Sequence, residues 1–233
     1  MKKIILVIFA IFLLNNISFG GIFGGTSKLE ITAPNLDPNE SPKEGKFQNS
    51  VFLYISTNII NCVKLVPISM IDKLKLEIGP VISDTLAQSI QILFDNVRIS
   101  TTMPDNIGAD GLITFSLDKL GIGLTHESSP GDISEYQTWG CGIKLSYQFI
   151  TKDNEVIDQV EFPIYEEEMD YNNDSRNSIK KLISTTMHRI ATKISENIVN
   201  SEIINLYLKK IELEKKVQSK KNSSKNQKVK KVY

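Results

Sequence analysis

The run GPVISDTLAQSIQILFDNV, residues 79–97, carries the sharpest secondary-structure signal in the chain. Gly79-Pro80 is typical of a helix start, because proline at the first helical position lacks only an N–H that would have no partner there. The apolar residues that follow at helical spacing are Ile82, Leu86, Ile90, Leu93 and Val97. They predict an amphipathic helix that ends near Asp95-Asn96, with a strand over residues 97–101.

On the N-terminal side of this helix the sequence favours extended structure. Val51 to Ser56 is a short β-prone run that is apolar on both faces, which predicts a central strand. Ile59 to Val66 continues in extended character as far as Pro67.

On the C-terminal side, apolar and polar residues alternate with period two. The apolar positions are Ile113, Phe115 and Leu117, followed by Leu120, Ile122 and Leu124. The change of parity without a break predicts a β-bulge between Leu117 and Leu120. After a polar loop over residues 126–138, two further strands over 143–149 and 156–164 flank a hairpin turn at Lys152-Asp153-Asn154.

A long helix is predicted to begin at Asp174-Ser175, a favourable pair for an N-cap. Its apolar stripe consists of Ile179, Ile183, Met187, Ile190, Ile194 and Ile198, and the helix can continue past Asn200-Ser201 to Leu213 or further. The elements follow one another in the order β-α-β-β-β-β-α. They predict an α+β fold in which two helices pack on one face of an antiparallel sheet of four to five strands.

The N-terminus is typical of a bacterial signal peptide. Lys2 and Lys3 precede an apolar run over residues 4–14, which is too short to span a bilayer core that needs about 20 residues. Ser18-Phe19-Gly20 supplies small residues for cleavage after Gly20, so we expect residues 1–20 to be removed and no transmembrane span to remain. The alternative is an uncleaved anchor over residues 4–23. Since no cysteine lies near the cut, lipid attachment is not expected.

The remaining chain divides into three predicted parts. Residues 21–49, rich in glycine and proline, predict a flexible linker, residues 50–208 a folded domain, and residues 209–233 a basic disordered tail. The tail holds ten of the 27 basic residues, which leaves the domain acidic. Its lysines are Lys209, Lys210, Lys215, Lys216, Lys220, Lys221, Lys225, Lys228, Lys230 and Lys231.

Cys62 and Cys141 are the two cysteines, and export would place them where disulfides persist. A bridge between them would close a loop of roughly 80 residues and stabilise the fold by about 4 kcal/mol. Two separate buried thiols are the alternative, because free cysteine packs like a small apolar residue. The spacing alone leaves both alternatives open.

Three segments of the chain together resemble small bacterial envelope lipoproteins. They are residues 82–97, the Ala-Asp-Gly-Leu-Ile strand entry at 109–113 and the long closing helix. The similarity is to the lipopolysaccharide-assembly and transport-auxiliary type, and it covers residues 50–205. It implies a non-enzymatic component beneath the outer membrane that acts as a plug, adaptor or assembly factor. The chain departs from that type in lacking the lipidated cysteine.

Signatures of catalysis are absent from the sequence. There is no Gly-x-Ser-x-Gly elbow, P-loop or Cys-x-x-Cys, so no catalytic, metal or cofactor residues are assigned and no cofactor is expected. His126, with Glu127, Asp132 and Glu135 near it, is better explained by a solvated loop than by a metal site. The acidic residues Glu166, Glu167, Glu168, Asp170 and Asp174 are interpreted as a solvated lead-in to the closing helix.

The sequence therefore favours an exported binding, assembly or adaptor protein of the periplasm or outer-membrane periphery. An exported hydrolase that pairs Asp118 with Glu127 or Glu135, and a secreted effector or surface protein, are the alternatives. The expected partners are an envelope protein or an anionic envelope surface, which the tail lysines would contact. Nucleic acid is not expected, because export separates the chain from the chromosome and no aromatic residues are interleaved with the lysines.

Overall fold

The computed structural model describes residues 25–36, 46–127, 136–171 and 174–229. The signal peptide predicted over residues 1–20 lies outside them. No helix in these four ranges has an apolar stretch long enough to cross a membrane.

A five-stranded sheet in the order β5-β2-β6-β7-β8 forms the centre of the fold. Its strands are β2 (Phe47–Ile55), β5 (Phe94–Ser100), β6 (Gly111–Glu127), β7 (Gln137–Thr151) and β8 (Val156–Asp170). The last three form the predicted antiparallel meander, but β2 pairs in parallel with both β5 and β6. The sheet is therefore mixed, and the prediction of an antiparallel sheet is wrong at β2. A helix between β2 and β5 returns the chain to the same end of the sheet, which makes the two strands parallel.

A second, three-stranded sheet has the order β1-β4-β3, with β1 (Thr26–Leu29), β3 (Val63–Pro67) and β4 (Lys73–Glu77). Strand β1 pairs in parallel with β4 and buries Leu29, although residues 21–49 were predicted to form a flexible linker. That expectation is corrected for β1 and for the start of β2 at Phe47. Four residues are too few to show a period, and β1 gains its hydrogen bonds only from β4, far along the chain.

Four helices lie within the described ranges: α1 (Thr57–Ile60), α2 (Ile78–Leu93), α3 (Ser175–Asn200) and α4 (Glu202–Val229). Helix α2 begins one residue before Gly79, and β5 follows its end directly. Gly79 is required there because a Cβ would overlap the backbone carbonyl oxygens of Ile59 and Ile60 in α1. The Gly79 N–H also donates to the carbonyl oxygen of Cys62 at 2.9 Å.

The core lies between α2, α3 and one face of the five-stranded sheet. Val51, Leu53 and Ile55 of β2 point into it, as do alternate residues of β7 from Trp139 to Phe149. All six stripe residues predicted for the long closing helix are buried, which confirms its inward face. Fully burying one such aliphatic or aromatic side chain contributes about 1.5–3 kcal/mol, so the packing of the long helix against the sheet makes a large contribution to stability.

Local features of the meander agree with the sequence. The register of β6 against β7 shifts between Leu117 and Lys119, which confirms the predicted bulge. Asn154 in the β7–β8 turn has φ 65°, the left-handed conformation that asparagine tolerates. The Asp174 carboxylate accepts a hydrogen bond from the Asn177 N–H at 3.2 Å and caps α3 as expected.

The C-terminal segment differs from its prediction. Residues 209–233 were expected to be disordered, yet α4 runs from Glu202 to Val229 after a break at Ser201. The inner face of α4 buries Ile204, Leu208 and Ile211 against the domain, so its first turns form on a template. Lysine and glutamate extend a helix readily once its first turn is fixed. A prediction from composition alone misses this helix, because it takes no account of the packing of the first turns against the domain.

Candidate functional site

The Asp110 carboxylate joins α4 to the sheet. Asp110 directly precedes β6 and lies beside Ser50 of β2. Its Oδ2 accepts hydrogen bonds from the Ser50 backbone N–H at 2.8 Å and from the Ser50 hydroxyl at 3.1 Å. The Lys215 ammonium of α4 binds the same oxygen at 2.6 Å. We call Asp110, Ser50 and Lys215, together with Tyr207, the Asp110 clasp.

Tyr207 supplies the second half of the clasp. Its hydroxyl donates to the carbonyl oxygen of Asp110 at 2.7 Å and accepts from the Lys152 N–H at 3.1 Å. Its ring packs edge-on against Phe149, with ring centroids 6.1 Å apart. Burial raises the pKa of the Tyr207 hydroxyl, so the group stays a neutral donor at neutral pH.

The Asp110 carboxyl is ionised in this arrangement. Burial by itself would raise its pKa, but the hydrogen bonds from Lys215 and Ser50 and the charge of Lys215 together hold the pKa below its ordinary value. Because the charged carboxylate accepts a hydrogen bond from Lys215, it holds the inner face of α4 against the domain. The opposite face of the helix is therefore held outward.

That outer face of α4 carries an apolar stripe. With 3.6 residues per turn, its four members fall on one side of the helix, and each is between 52% and 69% exposed. They are Ile203, Leu206, Leu213 and Val217. Exposed apolar residues clustered in this way mark an interaction surface more often than isolated ones do.

Lysines border the stripe on both sides. The helical geometry places Lys209, Lys216 and Lys220 along one border and Lys210 and Lys221 at the other edge, beside Val217 and Ile203, and all five are exposed. Lys215, predicted as a surface contact, instead lies on the inner side in the clasp. The structure does not describe the side chains of residues 225 and 228, and residues 230–231 lie outside it.

Cys62 and Cys141 are free thiols in the structure, and a bridge between them in the exported protein stays a prediction. Cys141 is buried in β7 opposite α3, and burial raises the pKa of its thiol to about 11. Cys62 follows α1 and is half-buried, and burial raises its pKa as well. Neither thiol has the depressed pKa of a reactive cysteine.

The other residues considered from the sequence, for a metal site and for a carboxylate pair, do not come together in the described parts of the structure. The His126 ring lies 5.5 Å from the Tyr136 ring at the far end of β6, and no group of three metal-ligating side chains occurs in the ranges described. The carboxylate of Asp118 accepts from the Ser116 hydroxyl at 3.0 Å on the open face of the sheet. Its considered partners, the Glu127 side chain and residue 135, lie outside the described parts.

The acidic run before α3 has a structural role that corrects its interpretation as a solvated lead-in. Glu166 and Glu168 belong to β8 and face α3. Glu166 pairs with Arg189 at 3.2 Å, and Glu168 pairs with Lys181 at 2.6 Å. These contacts hold the last strand against the closing helix.

The clasp residues Asp110, Ser50 and Tyr207 were not recognised from the sequence. In the sequence, Asp110 is part of the strand entry at 109–113, and Ser50 is the expected start of the domain. The available signal was a lone aspartate before an apolar strand, which points equally to a turn. Only the parallel pairing of β2 and β6 brings Asp110 to Ser50.

Comparisons with known proteins return fold similarity only at a low level. No family model matches the chain, and no curated protein matches it. A Xanthomonas campestris protein of the DUF330 family has a TM-score of 0.40 at 9% identity and covers 75% of this chain and 95% of its own.

Two further solved structures are similar at the same level. A Helicobacter pylori homolog of the neuraminyllactose-binding hemagglutinin has a TM-score of 0.40 at 12% identity, over 81% of this chain and all of its own. A minor lipoprotein of Acinetobacter baumannii has a TM-score of 0.37 at 8% identity, over 63% and 91%. At this level the function has to be argued from the chain's own residues.

Proposed function

We propose that the chain is an exported, non-enzymatic component of the cell envelope that binds anionic membrane surfaces through the outer face of α4. The observation that carries the proposal is the apolar stripe of α4 with lysines along both borders. An amphipathic helix with basic borders lies in the plane of a membrane interface, with its apolar side among the acyl chains.

The physical contributions to binding are of two kinds. The stripe residues would leave water for the acyl boundary, which is favourable in proportion to the apolar area removed from water. Lysines near an anionic surface contribute about 1 kcal/mol each at low ionic strength, and salt screens this attraction. Binding should therefore weaken with salt without vanishing.

The clasp determines the orientation of the domain on the membrane. The sequence predicts a disordered tail after residue 208, whereas the structure ties α4 to the domain through Lys215 and Tyr207. Because the domain is acidic, an anionic surface repels it, and the outer face of α4 is the part that makes contact. An adaptor held in this way presents the rest of its surface to the envelope space.

The test is co-sedimentation of the protein lacking residues 1–20 with vesicles of phosphatidylglycerol and phosphatidylcholine, and with phosphatidylcholine alone. Leu206→Ser with Leu213→Ser should strongly reduce sedimentation with the anionic vesicles. Val63→Ser with Leu65→Ser, which alters exposed apolar residues of β3, should leave it unchanged. Equal binding by the stripe variant and the wild type, or no binding by the wild type at low salt, would overturn the proposal.

The location in the envelope is tested separately by fractionation. We expect the protein in the periplasmic and membrane fractions, and Lys209→Gln with Lys210→Gln and Lys216→Gln should shift it toward the soluble one. Recovery from the culture medium alone would favour the alternative of a secreted effector. The vesicle experiment contains no other protein, so it also separates a membrane surface from an envelope protein as the partner.

A further inference from the structure

The open face of the sheet, opposite α2 and α3, contains a groove of about 560 Å³ along β6, β7 and β8. Ligand pockets are commonly of this size. Three directly opposed residue pairs of β6 and β7 form its floor. They are Lys119 with Lys144, Gly121 with Gly142, and Gly123 with Gly140.

The four glycines of the floor differ in what their missing side chains permit. A Cβ on Gly140 would overlap the Thr125 methyl group and the Tyr165 hydroxyl, so that glycine is needed for packing. A Cβ on Gly121 or on Gly123 would meet nothing within 4 Å, and neither residue has the positive φ that favours glycine. Glycine inside a strand weakens it and often marks a bulge, a tight bend, or close approach of a ligand or of another backbone. The open space above Gly121 and Gly123 fits the approach of a ligand.

The chemistry of the groove is mostly apolar. The backbone groups of its floor pair with each other in the β6–β7 ladder, so the face above them presents mainly Cα hydrogens and flat peptide planes. Pro163 and Tyr165 of β8 form one wall, and the Tyr165 hydroxyl, which lies over Gly140, donates to Glu167 at 2.6 Å. A narrow alkyl chain matches this surface in shape and polarity.

One end of the groove is polar. The Lys144 ammonium pairs with Glu161 at 2.6 Å, and the nearby Asp118 carboxylate accepts from Ser116. Lys119 lies directly opposite Lys144 and, within the part of the chain that the structure describes, has no ion-pair partner. Like charges opposed across a strand pair are unfavourable, and Glu161 already offsets the charge of Lys144. Lys119 is therefore the cation with which an anionic ligand would pair at this end.

We infer that this groove binds a single-chain anionic amphiphile such as a fatty acid. The alkyl chain would lie over Gly121 and Gly123, between the bare strand and the wall formed by Pro163 and Tyr165, with its carboxylate at Lys119. This site is on the sheet and shares no residue with the outer face of α4. It therefore stands or falls independently of membrane binding by α4.

The experiment is calorimetric titration of the protein lacking residues 1–20 with palmitate, and with hexadecanol as the uncharged counterpart, below their aggregation concentrations. Gly121→Val and Gly123→Val place a branched side chain in open space, so the fold tolerates them while the groove is filled. Each should abolish binding of both probes. Gly108→Val, at a glycine with equally open surroundings outside the groove, should leave binding unchanged.

Lys119→Gln tests the polar end. It should weaken the affinity for palmitate by about three- to fivefold, as expected for a partly exposed ion pair, and leave the affinity for hexadecanol unchanged. Lys73→Gln, at an exposed lysine of β4, should affect neither probe. Leu213→Ser should keep palmitate binding, which separates the groove from the stripe of α4. Absence of palmitate binding by the wild type, or undiminished binding by both glycine variants, would overturn the inference.

Discussion

The pair between Lys215 and Asp110 should stabilise the fold measurably, because the clasp depends on it. Its atoms are 2.6 Å apart, the Asp110 side chain is 10% exposed and the Lys215 side chain is 54% exposed. Exposed ion pairs contribute about 0.2–1 kcal/mol, and hydrogen bonds to charged groups contribute about 1.5–3 kcal/mol. A pair with one buried partner lies between these ranges, so we expect a coupling free energy of about 1–1.5 kcal/mol.

The coupling is measured by urea unfolding of the wild type, Asp110→Asn, Lys215→Met and the double variant. The Asp110 variant alone should lose about 2–3 kcal/mol, because it also weakens the hydrogen bonds from Ser50. The exposed pair Lys193–Glu196 is the matched control, with an expected coupling of about 0.3–0.5 kcal/mol. Additive effects of the two clasp substitutions would refute the reasoning, since additivity is the behaviour of independent sites.

Further predictions concern pH, one glycine and the cysteines. Because the pKa of Asp110 is lowered in the fold, its stabilisation is complete above its unfolded pKa of about 3.9 and is lost as the pH falls through its folded value. The difference in unfolding free energy between wild type and Asp110→Asn should therefore vanish in acid. Gly79→Ala should destabilise by about 3 kcal/mol or more, against less than about 0.5 kcal/mol for Gly108→Ala, as measured by urea unfolding. A thiol reagent should titrate both cysteines in denatured, unreduced protein, but only Cys62 should react rapidly in the native state. An internal or intermolecular disulfide would lower the number of thiols that are titrated in the denatured protein.

Local periodicity was sufficient for the parts of the fold in which neighbours in sequence are neighbours in space. The stripe from Ile179 to Ile198, the bulge after Leu117 and the hairpin turn at Lys152-Asp153-Asn154 each follow from a few consecutive residues. The parallel pairing of β2 with β5 and β6 did not follow, because a strand such as Val51 to Ser56 has the same pattern in either direction. Strand β1 is too short to show any period at all.

The candidate site could be predicted only in part from the sequence, because it depends on contacts between residues that are far apart in the chain. The lysines after residue 208 were evident, but their division between the two faces of α4 depends on its packing against the domain. Ile204 and Leu208 are buried while Leu206 and Leu213 are exposed, although all four have similar side chains. Likewise, the opposed Gly-x-Gly segments at 121–123 and 140–142 were visible separately, and only the β6–β7 register brings them together.

The most direct test of the proposed membrane contact places a polarity-sensitive fluorophore on the stripe. Leu213→Cys in a Cys62→Ser background can be labelled selectively, because Cys141 is buried and its thiol pKa is about 11. We predict that anionic vesicles shift the emission of this label to shorter wavelength, whereas a label at Asp84→Cys, on the exposed side of α2, does not respond. An unchanged spectrum at residue 213 under conditions where the protein sediments with the vesicles would contradict insertion of α4.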